Sequence, residues 1–160
     1  MPNDDVRLAL EDPRDAAGGA LVAELIAFIE ALYPEDEDDP PTPWTLDDVA
    51  PAFVVARVGG EAAGCGGLAP IAAGGAPEGS AREIVRMYVR PGYRGRRIAD
   101  RVLAELEALA RARGVEVLML RCGPRQPDAL RVYERNGYVL RPAFAQHREH
   151  HTNVFYEKRL

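Results

Sequence analysis

The stretch from residue 83 to residue 99 reads Glu83-Ile-Val-Arg-Met-Tyr-Val-Arg-Pro-Gly-Tyr-Arg-Gly-Arg-Arg-Ile-Ala99. Its apolar first half predicts a short strand, and its second half predicts an arginine- and glycine-rich loop that opens onto an amphipathic helix. Backbone N–H groups at a helix N-terminus lack intrahelical partners and lie at the positive end of the helix dipole. Three arginines in the same turn, Arg94, Arg96 and Arg97, add formal positive charge. The turn therefore predicts a seat for a diphosphate group.

The rest of the composition is that of an ordinary globular chain. It has 160 residues, of which 47% are hydrophobic and 28% are charged, so we expect a single domain spanning residues 1–160. The formal net charge of −5 argues against a nucleic-acid partner, because a phosphate backbone needs a basic face. Positive charge is instead concentrated locally, among arginines between Arg82 and Arg113.

Targeting and redox signals are sparse. No run approaches the roughly 18 apolar residues that a membrane span needs, so no membrane partner is expected. The first residues, Met-Pro-Asn-Asp-Asp, lack the basic-then-apolar order of a signal peptide. Cys65 and Cys122 lie far apart in apolar runs and form no C-x-x-C motif, which predicts buried free thiols and a cytoplasmic protein.

Hydrophobic periodicity and turn residues divide the chain into alternating strands and helices. Helices are predicted at 14–33, from Thr45 as an N-cap, from Ile98 until Gly114, and at 127–136. Strands are predicted at 6–10, 53–58, 61–69, 81–89, 115–122, 138–140 and 153–160. Gly59 and Gly60 predict a tight hairpin, because glycine readily adopts the positive φ angles that such a turn needs. The order indicates a mixed α/β domain with an antiparallel hairpin and a β-α-β-α-β second half.

Two motifs on these elements resemble the GNAT N-acetyltransferase superfamily. The segment Arg94-Gly-Arg-Arg-Ile-Ala99 is similar to the first and last positions of that family's phosphate loop, R/Q-x-x-G-x-G/A. Downstream, Gln126-Pro-Asp-Ala-Leu-Arg-Val-Tyr-Glu-Arg-Asn-Gly-Tyr138 resembles the second signature, N-x-x-A…Y-E-x-x-G-F. The last strand also looks like the terminal strand of many members, so the resemblance spans roughly residues 53–160.

The resemblance implies a fold, a reaction and a set of site residues. The fold is a central, mostly antiparallel twisted sheet flanked by helices, and the reaction is direct acetyl transfer from acetyl-CoA to a primary amine, without a metal. The strand before the loop would splay from its neighbour and bind the pantetheine arm and acetyl carbonyl through backbone groups of Met87, Tyr88 and Val89. The diphosphate would be held by the loop residues Arg94, Gly95, Arg96, Arg97, Ile98 and Ala99.

The same resemblance assigns the remaining roles. Gln126 would stand where an asparagine often meets the cofactor. Tyr133 would protonate the departing thiolate, a task that suits a phenol because its ordinary pKa of about 10 lies above the roughly 8.5 of a thiol. Glu83 would deprotonate the incoming ammonium. Family members often form homodimers, so a homodimer is a further expectation.

Two residues depart from the family pattern. Arg97 replaces the central loop glycine, which in the family lets the main chain approach phosphate without an intervening Cβ. Asp100 lies in the first turn of the following helix, where we expect an acid to compete with diphosphate for the positive end of the dipole. Both departures suggest one alternative function, a non-catalytic module that binds acyl-CoA. Another alternative keeps the fold but transfers a larger acyl group, such as succinyl.

Several residues keep two interpretations. The acids between Glu35 and Asp39 either attract a cationic amine to the acceptor pocket or form a solvated loop. His147, His150 and His151 either line the acceptor pocket or lie on a C-terminal loop, since no carboxylate or cysteine cluster supports a metal site. Trp44 is either a pocket wall or a loop anchor.

Overall fold

The computed structural model describes residues 5–34, 42–71 and 80–160. The strands are β1 (Val6–Leu10), β2 (Phe53–Val58), β3 (Glu61–Pro70), β4 (Ala81–Val89), β5 (Val117–Cys122), β6 (Val139–Leu140) and β7 (Val154–Arg159). The helices are α1 (Ala16–Leu32), α2 (Leu46–Val49), α3 (Ile98–Ala112) and α4 (Pro127–Arg135), with short 3-10 turns at Ala50–Ala52 and Pro91–Tyr93. No helix within these ranges is long and apolar enough to cross a bilayer.

The seven strands form one sheet in the order β1-β2-β3-β4-β5-β7-β6. Every neighbouring pair is antiparallel except β4 and β5. This mostly antiparallel sheet with flanking helices confirms the predicted fold class.

Apolar layers cover both faces of the sheet. On one face, Val102 and Leu106 of α3 pack against a cluster that includes Ile84 of β4 and Leu118 of β5. On the other face, Leu21 of α1 packs in a second cluster beneath α2. The helices are therefore held to opposite faces by burial of their apolar sides, which is the main driving force of such layered packing.

Local signals place several boundaries where the sequence predicts them. Gly59 and Gly60 have φ angles of +57° and +86° in the hairpin between β2 and β3. Thr45 caps α2 in a capping box with Asp48, each side chain accepting a hydrogen bond from the other residue's backbone N–H.

Two predicted strands begin later than the sequence pattern indicates, because their first residues close the preceding helices. Gly114 donates to the Arg111 carbonyl, and Val115 donates to the Ala110 carbonyl at 2.9 Å. This is a Schellman closure around a glycine with φ of +76°, so β5 begins at Val117 rather than at Val115. The same closure at the end of α4 uses the backbone of Tyr138, and β6 consequently begins at Val139.

A bulge in β4 changes the direction of the strand at the centre of the sheet. The register between β3 and β4 shifts from Cys65↔Tyr88 to Gly67↔Val85, which leaves an extra residue in β4. Arg86, at the bulge, has a φ of +58°. Opposite it, a Cβ on Gly66 of β3 would lie 2.9 Å from Val102 Cγ1 and closer still to Met87 Sδ. Glycine at this position therefore lets Met87 of β4 and Val102 of α3 pack closely against β3.

β4 separates from β5 just before the bulge. The two parallel strands pair through Ala81↔Val117, Arg82↔Leu118 and Glu83↔Met119. Among the described residues, the rest of β4, from Ile84 to Val89, has no strand partner on its β5 side. The sheet is therefore open along this line, as the resemblance implies.

Candidate active site

A cavity of about 820 Å³ lies where β4 and β5 diverge, and residues from both faces of the sheet line it. The predicted site residues converge on it: all of them line it except Arg96. We call the part lined by Tyr88, Gln126, Tyr133, residues 94–95 and residues 97–99 the loop half. We call the part lined by Trp44, Arg86, Arg121, Gln146 and His147 the arginine-lined half.

The loop half contains the N-terminus of α3. No side chain of the described residues caps this 15-residue helix, so its first-turn N–H groups face the cavity without a side-chain acceptor. Arg97, at the N-cap, has φ of +60° and ψ of +25°. Its backbone thus lies in the left-handed region that glycine adopts readily, and its side chain is 71% exposed. The turn at the start of α3 fits an anionic diphosphate.

The other loop arginines pack on aromatic rings. Arg94 Nε donates to the Val89 carbonyl at 2.9 Å, and its guanidinium lies over the rings of Phe28 and Tyr88 at 5.4 and 5.9 Å. Arg96 lies over Tyr93, at 5.5 Å. Cation–π contacts of this kind hold the guanidinium groups around the loop.

Asp100, in the first turn of α3, is paired with the end of α4. Its carboxylate accepts hydrogen bonds from Arg135 Nε and Asn136 Nδ2, both at 2.8 Å. The bond from Arg135 is the main cause of a lowered pKa for Asp100. This carboxylate therefore joins two helices, and its competition with a diphosphate for the end of α3 stays a prediction.

Gln126 lies at the start of α4 beside the end of α1. The Tyr33 hydroxyl donates to Gln126 Oε1 at 3.4 Å and accepts from the Arg125 backbone N–H at 2.9 Å. Gly123 makes this contact possible, because a Cβ there would collide with the Tyr33 hydroxyl. The sequence analysis missed Tyr33, which lies 93 residues from its partner.

Tyr133 is buried on α4, and its hydroxyl has no hydrogen-bond partner among the described residues. Its ring packs edge-on against Tyr138, whose centroid is 5.9 Å away, and its carbonyl accepts from the Tyr138 N–H. Burial, with a smaller contribution from Cys122, raises the Tyr133 pKa well above its usual range. A phenol so far above a thiol in pKa is better suited to donating a hydrogen bond to sulfur than to complete proton transfer.

Glu83 pairs with His147 at the other side of the opening. His147 Nε2 lies 2.9 Å from Glu83 Oε2, and the two side chains are only 10% and 7% exposed. The His147 ring packs edge-on against Phe144, with 5.0 Å between ring centroids. We call these two residues the Glu83–His147 pair. A carboxylate and an imidazole are both groups that can accept a proton. The carboxylate also fixes which ring nitrogen of His147 carries the hydrogen.

The arginine-lined half surrounds this pair. The Arg86 guanidinium lies over the Trp44 ring at 5.1 Å, and Trp44 is buried, so it is a cavity wall. Arg121 Nη1 donates to Asn153 Oδ1 at 3.3 Å. Burial, and then the charge of Arg121, lowers the Arg86 pKa. Sequence reasoning missed both arginines, because only the bulge and the strand register bring them together.

The remaining predicted features lie elsewhere. The acids from Glu35 to Asp39 fall outside the described residues. His150 Nδ1 lies 2.7 Å from Thr152 Oγ1, and its ring packs on that of His151. Thr152 lines the cavity, whereas the two histidines do not. The described ranges contain no group of residues able to hold a metal ion. Cys65 and Cys122 form no disulfide, and burial raises the pKa values of their thiols to about 12 and about 11.

Comparison with known proteins gives consistent results. Residues 19–138 match the sequence profile of the Acetyltransferase (GNAT) family. A protein of Azospirillum brasilense named IAA acetyltransferase is 34% identical over 160 residues, which is 100% of both chains. A Klebsiella pneumoniae structure assigned as an acyl-CoA N-acyltransferase is 35% identical with a TM-score of 0.79, covering 97% of each chain. The PaiA N-acetyltransferase of Thermoplasma acidophilum, solved in complex with coenzyme A, shares the fold at 15% identity, with a TM-score of 0.66 over 97% of this chain and 99% of that one.

Proposed function

Because this chain belongs to the acetyltransferase (GNAT) family, we propose that it transfers an acetyl group from acetyl-CoA to the primary amine of a small or amino-acid-like molecule. One observation carries the proposal: a single cavity contains the uncapped N-terminus of α3, the unpaired end of β4 and the Tyr133 hydroxyl. The coenzyme A complex of the Thermoplasma acidophilum protein, which shares the fold, supports the choice of cosubstrate.

The loop half would hold acetyl-CoA. The N–H groups of Ile98 and Ala99, with the guanidinium groups of the loop, would bind the diphosphate, while Gln126 meets the cofactor at the start of α4. The backbone groups of Met87, Tyr88 and Val89 have no β5 partner and would pair with the pantetheine arm and acetyl carbonyl. Arg94 Nε donates to the Val89 carbonyl. Arg94 would therefore lie between the backbone that binds the pantetheine arm and the loop that binds the diphosphate.

The transfer needs no covalent enzyme intermediate. The amine nitrogen attacks the thioester carbonyl carbon, a C–N bond forms, and the C–S bond then breaks with its electron pair leaving on sulfur. The proton lost by the amine passes to the Glu83–His147 pair, which lines the same cavity. Tyr133, kept neutral by its raised pKa, donates a hydrogen bond to the departing sulfur.

Thiol release from acetyl-CoA, measured over a panel of amines, tests this proposal. Tyr133→Phe is expected to lower kcat about 100-fold or more while leaving coenzyme A binding intact, because one well-placed hydrogen-bond donor to a developing charge contributes on that order. Tyr156→Phe is the matched control: its ring lies 6.2 Å from that of Tyr133, but it does not line the cavity. Native turnover by the Tyr133→Phe enzyme would remove this residue from the mechanism.

Glu83→Gln tests the base separately. The amide keeps a hydrogen bond to His147 but cannot accept the proton, so we expect a lower kcat and a changed pH–rate profile. Full turnover across the pH range would exclude Glu83 as the base. Binding of coenzyme A without thiol release for any amine would instead indicate a binding module.

Three further properties complete the proposal. Competition between acetyl-CoA and succinyl-CoA decides the acyl group. The two cysteines form no disulfide, which suits a reducing cytoplasmic compartment. The homodimer expected from the family is tested by light scattering of the purified protein.

A further inference from the structure

We propose that the arginine-lined half of the cavity binds a carboxylate, so that the acceptor is an amine that also carries a carboxylate group. This inference rests on the proposed function, since it names which amines the same site takes.

The charges of the described residues favour an anion in this half. The Arg86 side chain forms neither a hydrogen bond nor an ion pair within the part of the chain that the structure describes. Glu83 is the carboxylate there that attracts Arg86, and it is already bound to His147. Arg121 lines the same half and repels Arg86. Among the described residues, the Arg86 guanidinium therefore lacks a carboxylate partner of its own, and an incoming anion would supply that counter-charge.

Unpaired polar atoms are a second, independent observation. Among the described residues, three buried side-chain polar atoms lack a hydrogen-bond partner: Trp44 Nε1, Arg86 Nε and Gln146 Oε1. All three belong to residues of the arginine-lined half. Buried polar atoms without partners are rare in native proteins and need a specific explanation. Their concentration here indicates a site whose hydrogen bonding a polar ligand completes.

The chemistry of the side chains selects a carboxylate. A guanidinium presents a planar fork of N–H donors that matches the two oxygens of a carboxylate. Trp44 lies beneath Arg86 and restricts its position, which lowers the entropy that binding would otherwise remove. The Glu83–His147 pair borders the same half, so an acceptor held by its carboxylate would present its amine to the base. Amino acids carry the amine and the carboxylate on the same carbon atom.

The test compares each L-amino acid with its carboxamide in the thiol-release assay. The two have the same amine and side chain and differ in the negative charge. We expect kcat/KM to be about 10- to 100-fold higher for the preferred amino acid than for its amide, as charge-assisted hydrogen bonds contribute on that scale.

Variants assign the preference to the site. Arg86→Gln is expected to remove most of the discrimination by raising KM for the acid, whereas Arg86→Lys, which keeps the charge, restores part of it. Both replacements are unbranched at Cβ, which suits the positive φ at this position. Arg111→Gln, an exposed position on α3 outside the cavity, is the matched control and should leave the discrimination unchanged.

Calorimetry gives a readout that does not need turnover. The enzyme–coenzyme A complex is titrated with the N-acetylated amino acid and with its amide, and tighter binding of the acid that Arg86→Gln abolishes supports the proposal. Turnover of amines with no preference for acids, or a preference that survives Arg86→Gln, would overturn this inference and leave the acetyltransferase function intact. If no amine releases thiol, the proposed function fails, and the calorimetric comparison alone decides whether the carboxylate site exists.

Discussion

At the scale of single residues, Arg97 occupies a loop position where the family pattern has a glycine. Its backbone lies in the left-handed region, with φ of +60°, where a residue with a Cβ is strained. The exposed side chain points its charge outward from the turn that begins α3. Arg97 therefore destabilises the turn slightly, while it places a guanidinium beside the site where we propose that the diphosphate binds.

Arg97→Gly is accordingly expected to raise the free energy of unfolding by about 1 kcal/mol, because glycine adopts this conformation without the steric cost. Urea unfolding of the native and variant proteins measures the change. Arg96→Gly is the control: Arg96 is in the same loop but does not have a positive φ, so it should show no gain. Equal effects of the two substitutions would contradict the assignment of strain to Arg97.

At the scale of the elements, Asp100 joins the start of α3 to the end of α4. These two helix ends border the loop half, so this contact helps to position Tyr133 relative to the start of α3, where we propose that the diphosphate binds. An acid in the first turn of a helix thereby has a structural role.

Asp100→Asn should destabilise the protein by about 1 kcal/mol at neutral pH, a value discounted for the partly exposed partner. Because the folded pKa of Asp100 is below its ordinary 3.8, its contribution is present above pH 3.8 and is lost as the pH falls through the lower folded value. Unfolding experiments at neutral pH and at about pH 2.5 should therefore show the difference shrinking. Glu105→Gln, an exposed position on α3, should show no such difference, and an Asp100→Asn cost that stays constant with pH would argue against the ion pair.

The elements themselves were largely predictable, because their signals are local. The bounds of β1, β2 and β4 agree with the alternation of apolar residues and the glycine turns that flank them. Two features were not predictable. The late starts of β5 and β6 depend on hydrogen bonds that return to the preceding helix. The bulge at Arg86 is a shift in the register between β3 and β4, opposite the space that Gly66 leaves for Met87 and α3, and no local pattern encodes it.

At the scale of the whole molecule, the parting of β4 from β5 opens the centre of the sheet. The resulting cavity is lined from both apolar layers, with Tyr133 on the α3 side and Trp44 on the α1 side. The layered architecture thus places the groups proposed to bind the cosubstrate and the acceptor on different faces, with the unpaired part of β4 between them.

Coenzyme A is expected to stabilise the whole fold by binding only its native state. At a concentration about 100 times its Kd the stabilisation is about 2.7 kcal/mol, which raises Tm by about 5–10 °C for a chain of this size. Pantetheine, which lacks the diphosphate, is the matched ligand and should give a much smaller shift. Equal shifts for the two would mean that the N-terminus of α3 does not hold a diphosphate.

The two halves of the cavity differed in how far the sequence predicted them. The loop half was predictable because its residues fall in two short contiguous motifs. For the arginine-lined half the sequence named Glu83, His147 and Trp44 as candidates. It did not predict the Glu83–His147 pair, since these residues are 64 apart in the chain and meet only through the tertiary fold. Arg86 and Arg121 lie on strands that stop pairing just before they approach each other, so neither register nor spacing in the sequence reveals their proximity.

The open seam in the sheet also limits what an inhibitor of this protein can look like. A conjugate that tethers the acceptor to the sulfur of coenzyme A would occupy both halves at once, and its linker would have to thread between two diverging strands. A series of conjugates graded in linker width would therefore measure how wide a tether the opening between β4 and β5 admits.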